Sequence, residues 1–143
     1  MNKINPTIIA GVGMVAFGKP GASDNYDVMG EAAIHEALTD SGLDFTHIEQ
    51  AFAGYVYGDS TCGQKVIYKV GMTGIPVFNL NNNCSTGSSA LFMARQAVES
   101  GLVDCALAVG FEQMQPGALS VVWDDRPSPF DDFDRECSDL FDS

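Results

Sequence analysis

Apolar and polar positions along the chain switch repeatedly between the period of a strand and the period of a helix. Short runs of β-branched, aromatic or small apolar residues predict four strands, at Thr7 to Val12, Gln50 to Tyr57, Val77 to Leu80 and Cys105 to Val109. Apolar residues at helical spacing predict helices at Asp27 to Thr39, Gly63 to Val70 and Ser85 to Ser100. This alternation is typical of βαβ units, so it predicts an α/β fold with a mostly parallel sheet flanked by helices.

The regular pattern stops after Gly110. Residues 112–143 contain Pro116, Pro127 and Pro129, and their apolar residues follow no clear period. A long stretch without predicted elements is typical of a functional loop or of the beginning of another domain. The sequence therefore predicts an α/β half-domain over residues 1–111 and an irregular, acidic segment over residues 112–143.

Composition and charge narrow the function classes. With 45% hydrophobic residues, the 143-residue chain can bury one core of ordinary size. Its formal net charge of -12 argues against nucleic-acid binding, because phosphates would be repelled. No apolar run approaches the roughly 18 to 20 residues of a membrane span, and the first residues do not resemble a secretion signal. We expect a cytoplasmic protein, or a peroxisomal or mitochondrial one in a eukaryote.

The chain has four cysteines, which are Cys62, Cys84, Cys105 and Cys137. No pair has the C-x-x-C spacing of a zinc site, and nothing indicates an oxidising compartment, so we expect free thiols and no bound metal. The glycine-rich start "GVGMVAFG" has Ala16 where a dinucleotide-binding G-x-G-x-x-G motif needs its third glycine. We interpret these glycines as a chain reversal after the first strand.

Cys84 lies where the strand at Val77 to Leu80 passes into a helix, in the stretch "VFNLNNNCSTGSSALFMARQAVESG". Open α/β sheets commonly build their sites at such a carboxyl end. The unpaired N–H groups and the dipole of a helix N-terminus favour a thiolate, so Cys84 is a candidate nucleophile. A small, half-buried cysteine at a helix cap is the alternative that these residues leave open.

The residues around Cys84 fit a nucleophile. Gly87 has no side chain in the first helical turn, so a substrate carbonyl can approach the sulfur. The small hydroxyl residues Ser85, Thr86 and Ser88 can cap backbone groups without covering the thiol. The preceding asparagines, Asn81, Asn82 and Asn83, can hold the approach to Cys84 through hydrogen bonds from side chain to backbone.

Several ordered motifs carry a family resemblance over essentially the whole chain. The stretch "NNNCSTGSSALFMARQAVESG" is preceded by "GYVYGDSTCGQ" and "GMTGIPVFN" and followed by "CALAVGFEQM" and "DDRPSPFDDFD". Together they resemble the N-terminal half of the thiolases, most closely the sterol carrier protein type of thiolase. The last motif is similar to the start of that family's loop domain.

The resemblance implies an acyltransferase that acts on 3-ketoacyl-CoA. In such enzymes the cysteine matched by Cys84 forms an acyl-enzyme that coenzyme A, a cosubstrate rather than a bound cofactor, then resolves. It also implies that the Cys84 N–H contributes to an oxyanion hole. A tight interface with a second copy or with a homologous chain would involve Val77 to Asn83 and Asp59 to Gln64.

The chain departs from the family in its acid and base residues. Thiolases need histidines and a second cysteine in motifs of the type G-H-P and C-x-G, and neither motif occurs here. We expect His35 and His47 to be surface or packing residues and Cys105 to be an inert strand residue. Cys62 matches the family in a structural position only, and the acidic neighbours of Cys137 disfavour a thiolate.

Three functions remain open. The chain can be the N-terminal part of a thiolase-type acyltransferase, inactive by itself. It can also be a non-catalytic, thiolase-like partner subunit or interaction module. A ketoacyl synthase uses a similar cysteine at a helix start for decarboxylating condensation, but the "NNNCSTG" context favours the thiolase interpretation.

Overall fold

The computed structural model describes residues 6–116 and 123–141. It contains a three-stranded parallel sheet with the strand order β2-β1-β3. The strands are β1 at Gln50–Gly54, β2 at Val77–Leu80 and β3 at Ala106–Gly110. Ala51 of the central strand pairs with Val77 on one side and with Leu107 on the other. The prediction of an α/β fold with a mostly parallel sheet is confirmed.

Among the described residues, four α-helices accompany the sheet. They are α1 at Tyr26–Ser41, α2 at Cys62–Val70, α3 at Thr86–Glu99 and α4 at Asp131–Phe141, and a short 3-10 helix occupies Phe45–His47. Helix α1 ends at Gly42, whose φ of 69° is the left-handed conformation that stops a helix. Helix α4 lies inside the segment predicted to be irregular, so that prediction is wrong for Asp131–Phe141, whereas residues 112–116 and 123–130 contain no helix or strand. Its apolar residues Phe133, Cys137 and Leu140 follow helical spacing among the acids.

The core has two parts because side chains of a strand point alternately to the two faces of a sheet. Ala51 and Ala53 of β1 pack with Ile34 of α1 and with Val66 of α2. Phe52 points to the other face and packs with the small residues of α3, which are Ala90, Ala94 and Ala97. Alanine at these positions lets α3 approach the sheet closely.

Two glutamates connect the segments of β1 and β3, one before the strands begin and one after they end. Before the strands, Glu49 Oε2 accepts hydrogen bonds from the amides of Asp104 (2.6 Å) and Cys105 (3.2 Å). After the strands, the Glu112 carboxylate accepts from the amides of Val56 (2.8 Å) and Tyr57 (3.1 Å). The predicted strand at Gln50 to Tyr57 is therefore too long, because its last amides bond to Glu112 instead of to a neighbouring strand.

The predicted first strand, Thr7 to Val12, is wrong as a sheet strand. The amides of Val12 and Met14 donate to the carboxylates of Asp40 (2.9 Å) and Glu36 (2.8 Å) of α1. Within the described part of the chain these residues pair with no strand, and Ile8 keeps 81% of its surface exposed. Residue type favours a strand here, but a strand forms only where a neighbour supplies the hydrogen bonds.

The glycines of "GVG" do not reverse the chain, so that interpretation is corrected. Neither Gly11 nor Gly13 has a positive φ, and the reversal comes later, where Ala22 N–H donates to Lys19 O (2.9 Å) near Gly21, whose φ is 82°. A Cβ on Gly13 would lie 2.6 Å from the backbone nitrogen of Ala37. The glycines are explained by the close approach of this segment to the backbone of α1.

No helix within the described residues is long and apolar enough to span a membrane. The structure does not test the boundary placed between residues 111 and 112, which stays a prediction.

Gly54 offers a test of how tightly the sheet packs. A Cβ at Gly54 would lie 2.5 Å from the carbonyl oxygen of Thr86, a backbone atom that cannot rotate away. We expect Gly54→Ala to lower the free energy of unfolding by about 1–3 kcal/mol, measured by urea denaturation. Gly18→Ala is the control, because its Cβ would meet Ser23 at an ordinary 3.6 Å. Equal stability of the two variants would contradict the packing described here.

Candidate functional site

The candidate site lies at the carboxyl end of the sheet, where the segments that follow the three parallel strands come together. Helix α3 begins at this end, and it approaches the strands through glycines. Gly54 of β1 lies under the backbone of Thr86, and a Cβ on Gly110 of β3 would be 3.2 Å from the Cα of Gly87. This close approach brings the segment before α3 onto the sheet.

Cys84 lies in that segment, and its side chain is exposed. Helix α3 begins at Thr86 with Ser85 as its N-cap, one residue later than predicted. Cys84 therefore precedes the N-cap, and its thiol stands outside the first helical turn. The structure confirms that this cysteine joins the end of a strand to the start of a helix, and its exposure argues against the alternative of a half-buried structural residue.

Two overlapping turns hold Cys84, and each is closed twice. The carbonyl of Asn82 accepts from the backbone N–H of Ser85 (3.2 Å) and from its hydroxyl (2.7 Å). The carbonyl of Asn83 accepts from the N–H of Thr86 (3.1 Å) and also from the Thr86 hydroxyl. Cys84 is a central residue of both turns, so its backbone is fixed from both sides.

The three asparagines play different parts. Asn81 Oδ1 accepts from the backbone N–H of Asn83 (3.2 Å), and Asn82 Nδ2 donates to Ser89 Oγ (2.9 Å) in α3. Asn83 adopts a left-handed conformation with φ of 49°, and its Oδ1 lies 3.6 Å from the Cys84 Sγ. The expected bond from side chain to backbone is confirmed for Asn81, whereas the side chains of Asn82 and Asn83 contact other side chains.

The polarity of the site suits a developing anion. The hydroxyls of Ser85 and Thr86 donate to carbonyls, so they do not cap the helix amides as expected, and the N-cap makes no side-chain bond. Within the described residues, the amides of Cys84, Gly87 and Ser88 have no hydrogen-bond acceptor. Unpaired amides at a helix N-terminus carry partial positive charge, and this helix begins two residues after Cys84.

The other cysteines lie in different surroundings. Cys62 opens α2 with 4% of its surface exposed, and Cys105 is half-buried just before β3. Burial, with a smaller contribution from Glu49, raises the pKa of the Cys105 thiol. Cys137 lies in α4 among acidic residues. These positions fit the expectation that none of the three is the nucleophile.

Neither histidine forms an acid–base pair with Cys84. His35 is exposed on α1, and His47 is exposed in the 3-10 helix with Nδ1 3.1 Å from Asp44 O. In the part of the chain that the structure describes, the Cys84 side chain has Asn83 as its hydrogen-bond partner, and no group of three or more possible metal ligands occurs.

An aromatic stack beside the site was missed from the sequence. Phe111 stacks between Tyr26 and Tyr55, with ring centroids 5.4 and 5.2 Å away. A hydrogen bond with the Cys62 side chain, burial and nearby negative charge raise the pKa of Tyr26 to about 12. The signal in the sequence was "GFE", in which Phe111 and Glu112 follow the end of a strand. A large aromatic side chain and a carboxylate at that place both need partners, and the carboxylate finds the amide of Val56.

Comparisons with known proteins agree with this geometry. Residues 7–124 match the family model for the N-terminal domain of thiolase. Sterol carrier protein 2 of Gallus gallus is 53% identical over 125 residues, which are 86% of this chain and 23% of that protein. Benzoylsuccinyl-CoA thiolase subunit BbsB of Thauera aromatica is 38% identical over 106 residues, 73% of this chain and 27% of that protein. The chain thus spans about a quarter of the length of these relatives.

Solved structures share the fold. Acetyl-CoA acetyltransferase from Syntrophomonas wolfei superposes with a TM-score of 0.58 at 20% identity, covering 70% of this chain and 27% of that chain. The priming β-ketosynthase of the R1128 polyketide pathway gives a TM-score of 0.57 at 29% identity, covering 67% and 29%. The fold alone therefore does not separate a thiolase from a synthase.

The position of Cys84 predicts its reactivity. In the folded chain at neutral pH, limiting iodoacetamide should label Cys84 first, because its side chain is exposed and it lies just before the unpaired amides of a helix start. Mass mapping of the labelled peptides measures the order of the four cysteines. The same chain in urea is the control, and there the preference should disappear. First labelling at Cys62 or Cys137 would contradict the assignment of Cys84 as the nucleophile.

Proposed function

Since the chain belongs to the thiolase family through its N-terminal domain, we propose that it is the nucleophile-bearing part of an acyltransferase that cleaves 3-ketoacyl-CoA with a second coenzyme A. The observation that carries this proposal is the exposed Cys84 thiol, held by two turns beside unpaired amides at the start of α3. We expect no bound cofactor, since coenzyme A enters as a cosubstrate.

The proposed reaction has two steps. In the first, the Cys84 thiolate attacks the 3-keto carbon, the C2–C3 bond breaks, and its electron pair passes to C2. C2 takes up a proton and leaves as acetyl-CoA or propanoyl-CoA, while the acyl group stays on Sγ as a thioester. In the second, the thiolate of another coenzyme A attacks that thioester, and Cys84 departs as a thiolate.

The backbone around Cys84 supports the charged states of this reaction. The negative oxygen of each tetrahedral intermediate needs hydrogen-bond donors that are already in position. The Cys84 amide, together with those of Gly87 and Ser88, supplies candidates, since none of the three has another acceptor within the described residues. The same amides favour the thiolate before attack and after release of the product.

Proton transfer requires residues beyond those at this site. The C2 carbanion has to be protonated, and the incoming thiol has to be deprotonated. The family's G-H-P and C-x-G motifs do not occur in this sequence. Both histidines are exposed, and the hydrogen-bond partner of the Cys84 side chain is Asn83. We therefore propose that the 143-residue chain does not catalyse thiolysis by itself.

A second copy or a homologous thiolase-like chain is the proposed partner, through Val77 to Asn83 and Asp59 to Gln64. Strand β2 is an edge strand, since it pairs with β1 alone in the described sheet. Phe78 is 45% exposed, and Asn79 bonds to the amide of Gly63 (2.8 Å), which joins the edge to the start of α2. An exposed edge of this kind is a template for pairing with another strand.

The alternative of a non-catalytic partner subunit has one observation in its favour. The Thauera aromatica relative is itself named as a subunit of a thiolase, which shows that a homologous chain is described as part of an assembly. The synthase alternative shares the fold with this chain. The match of residues 7–124 to the thiolase N-terminal domain favours the thiolase proposal over it.

Activity separates the first two functions. The 143-residue chain should show no measurable thiolysis of acetoacetyl-CoA, followed as loss of the enolate absorbance. Each missing general acid or base typically contributes about 10²- to 10⁴-fold. A chain extended through a G-H-P and a C-x-G motif should be active, and Cys84→Ala in it should abolish that activity. Turnover by the 143-residue chain would refute its predicted inactivity. An extended chain without activity would favour the alternative of a non-catalytic partner subunit.

Association through β2 can be tested with a matched pair of variants. Pro76 O and Leu80 O accept from β1, so by alternation the Val77 N–H points to the open edge. Val77→Pro removes that donor, whereas Val77→Ala loses side-chain packing and keeps it. In a symmetric pair two bonds are lost, about 1–3 kcal/mol together, so light scattering should show roughly tenfold weaker association for Val77→Pro than for Val77→Ala.

A clean monomer at tens of micromolar, roughly the range in which exposed edges associate, would count against the proposed partner surface. Equal association of the two variants would place the contact elsewhere.

A further inference from the structure

Thr86 is a buried polar residue, with 4% of its surface exposed, at the first position of α3. Its hydroxyl donates to the carbonyl of Asn83, which also accepts from the Thr86 backbone N–H (3.1 Å). Its own carbonyl rests against Gly54 of the sheet. Thr86 thus ties the turn that contains Cys84 both to the helix and to β1.

Asn83 is the residue that this contact holds. Its φ of 49° lies in the left-handed region, which Asn adopts more readily than most residues with a side chain, and here the bonds from Thr86 to its carbonyl help to hold it there. Because Asn83 directly precedes Cys84, its backbone angles set the direction of the Cys84 side chain. Relaxation of Asn83 would therefore change the direction of the Cys84 thiol just before the start of α3.

We propose that Thr86 is a positioning residue for the nucleophile. Its hydroxyl holds Asn83 in the left-handed conformation, and this conformation sets the direction in which the Cys84 thiol projects from the turn. The role in acyl transfer rests on the proposed function, whereas the effect on the thiol does not. Thr86 acts through Asn83 and needs no contact with substrate.

Ser85 provides a matched control within the same turn pair. Its hydroxyl makes the equivalent bond to the Asn82 carbonyl (2.7 Å), but Ser85 is exposed, so water can replace the bond. Asn82 also does not have a positive φ, so no left-handed residue depends on Ser85. Removal of the exposed hydroxyl should therefore matter much less than removal of the buried one.

The test measures the alkylation rate of Cys84 by iodoacetamide as a function of pH in the 143-residue chain. Thr86→Val keeps the shape and removes the hydroxyl, and it should slow Cys84 labelling at neutral pH by roughly five- to tenfold. Thr86→Ser should restore the parent rate and profile, and Ser85→Ala should stay within about twofold of them. Circular dichroism of each variant checks that the fold is retained.

Two outcomes would overturn the proposal. Either Thr86→Val labels with the parent rate and profile, or Thr86→Ser is as slow as Thr86→Val, which would make the methyl group rather than the hydroxyl the cause. If Thr86→Val does not fold, Asn83→Gly and Asn83→Ala decide. Glycine adopts positive φ freely, so Asn83→Gly should label faster than Asn83→Ala, and equal rates would refute the role of the left-handed conformation. The alkylation rate of Cys84 does not depend on catalytic turnover. The test therefore decides the role of Thr86 even if the proposed thiolase function is wrong.

Discussion

The contact between the first turn of α3 and the carboxyl ends of β1 and β3 is the constraint on which the rest of the molecule depends. Gly54 and Gly110 leave no side chain between the strands and the helix, so the backbone of Thr86 and Gly87 packs directly on the sheet. Along the same helix, Ala90, Ala94 and Ala97 continue this close packing over Phe52. Small residues on both the sheet and the helix thus fix the distance of the helix start from the sheet and the direction of the helix.

The chemistry of the site follows from that contact. A helix held so close to the strands leaves a short connection from β2, which must turn sharply through Asn82, Asn83 and Cys84. The hydroxyls of Ser85 and Thr86 are used to close these turns, so the amides of the first helical turn are left for an anion. Packing, turn geometry and electrostatics therefore act on the same atoms, those around the Cys84 sulfur.

The sheet is also held by charge at its ends. Glu49 and Glu112 each accept two backbone amides of a segment at least 50 residues away in sequence, which joins β1 to β3 before and after the strands. A carboxylate that accepts two amides shortens the strand, because those amides are no longer available to a neighbouring strand. This explains why pairing with β2 stops after Tyr55, whose amide still donates to Leu80 O, and why the next residues lie beside the segment that follows β3.

The sequence by itself determined the order of α1 to α3 and β1 to β3, the stop of α1 at Gly42, and the position of Cys84 between β2 and α3. These depend on local properties, which are the apolar period, glycine at a left-handed position and the residues of a tight turn. Only the tertiary structure decided that Thr7 to Val12 forms no sheet strand, that Gly11 and Gly13 serve a close approach to α1, and that Thr86 is buried against Gly54. Each of these depends on a partner distant in sequence, and the apolar and polar pattern of a single segment carries no record of the segment that will pack against it.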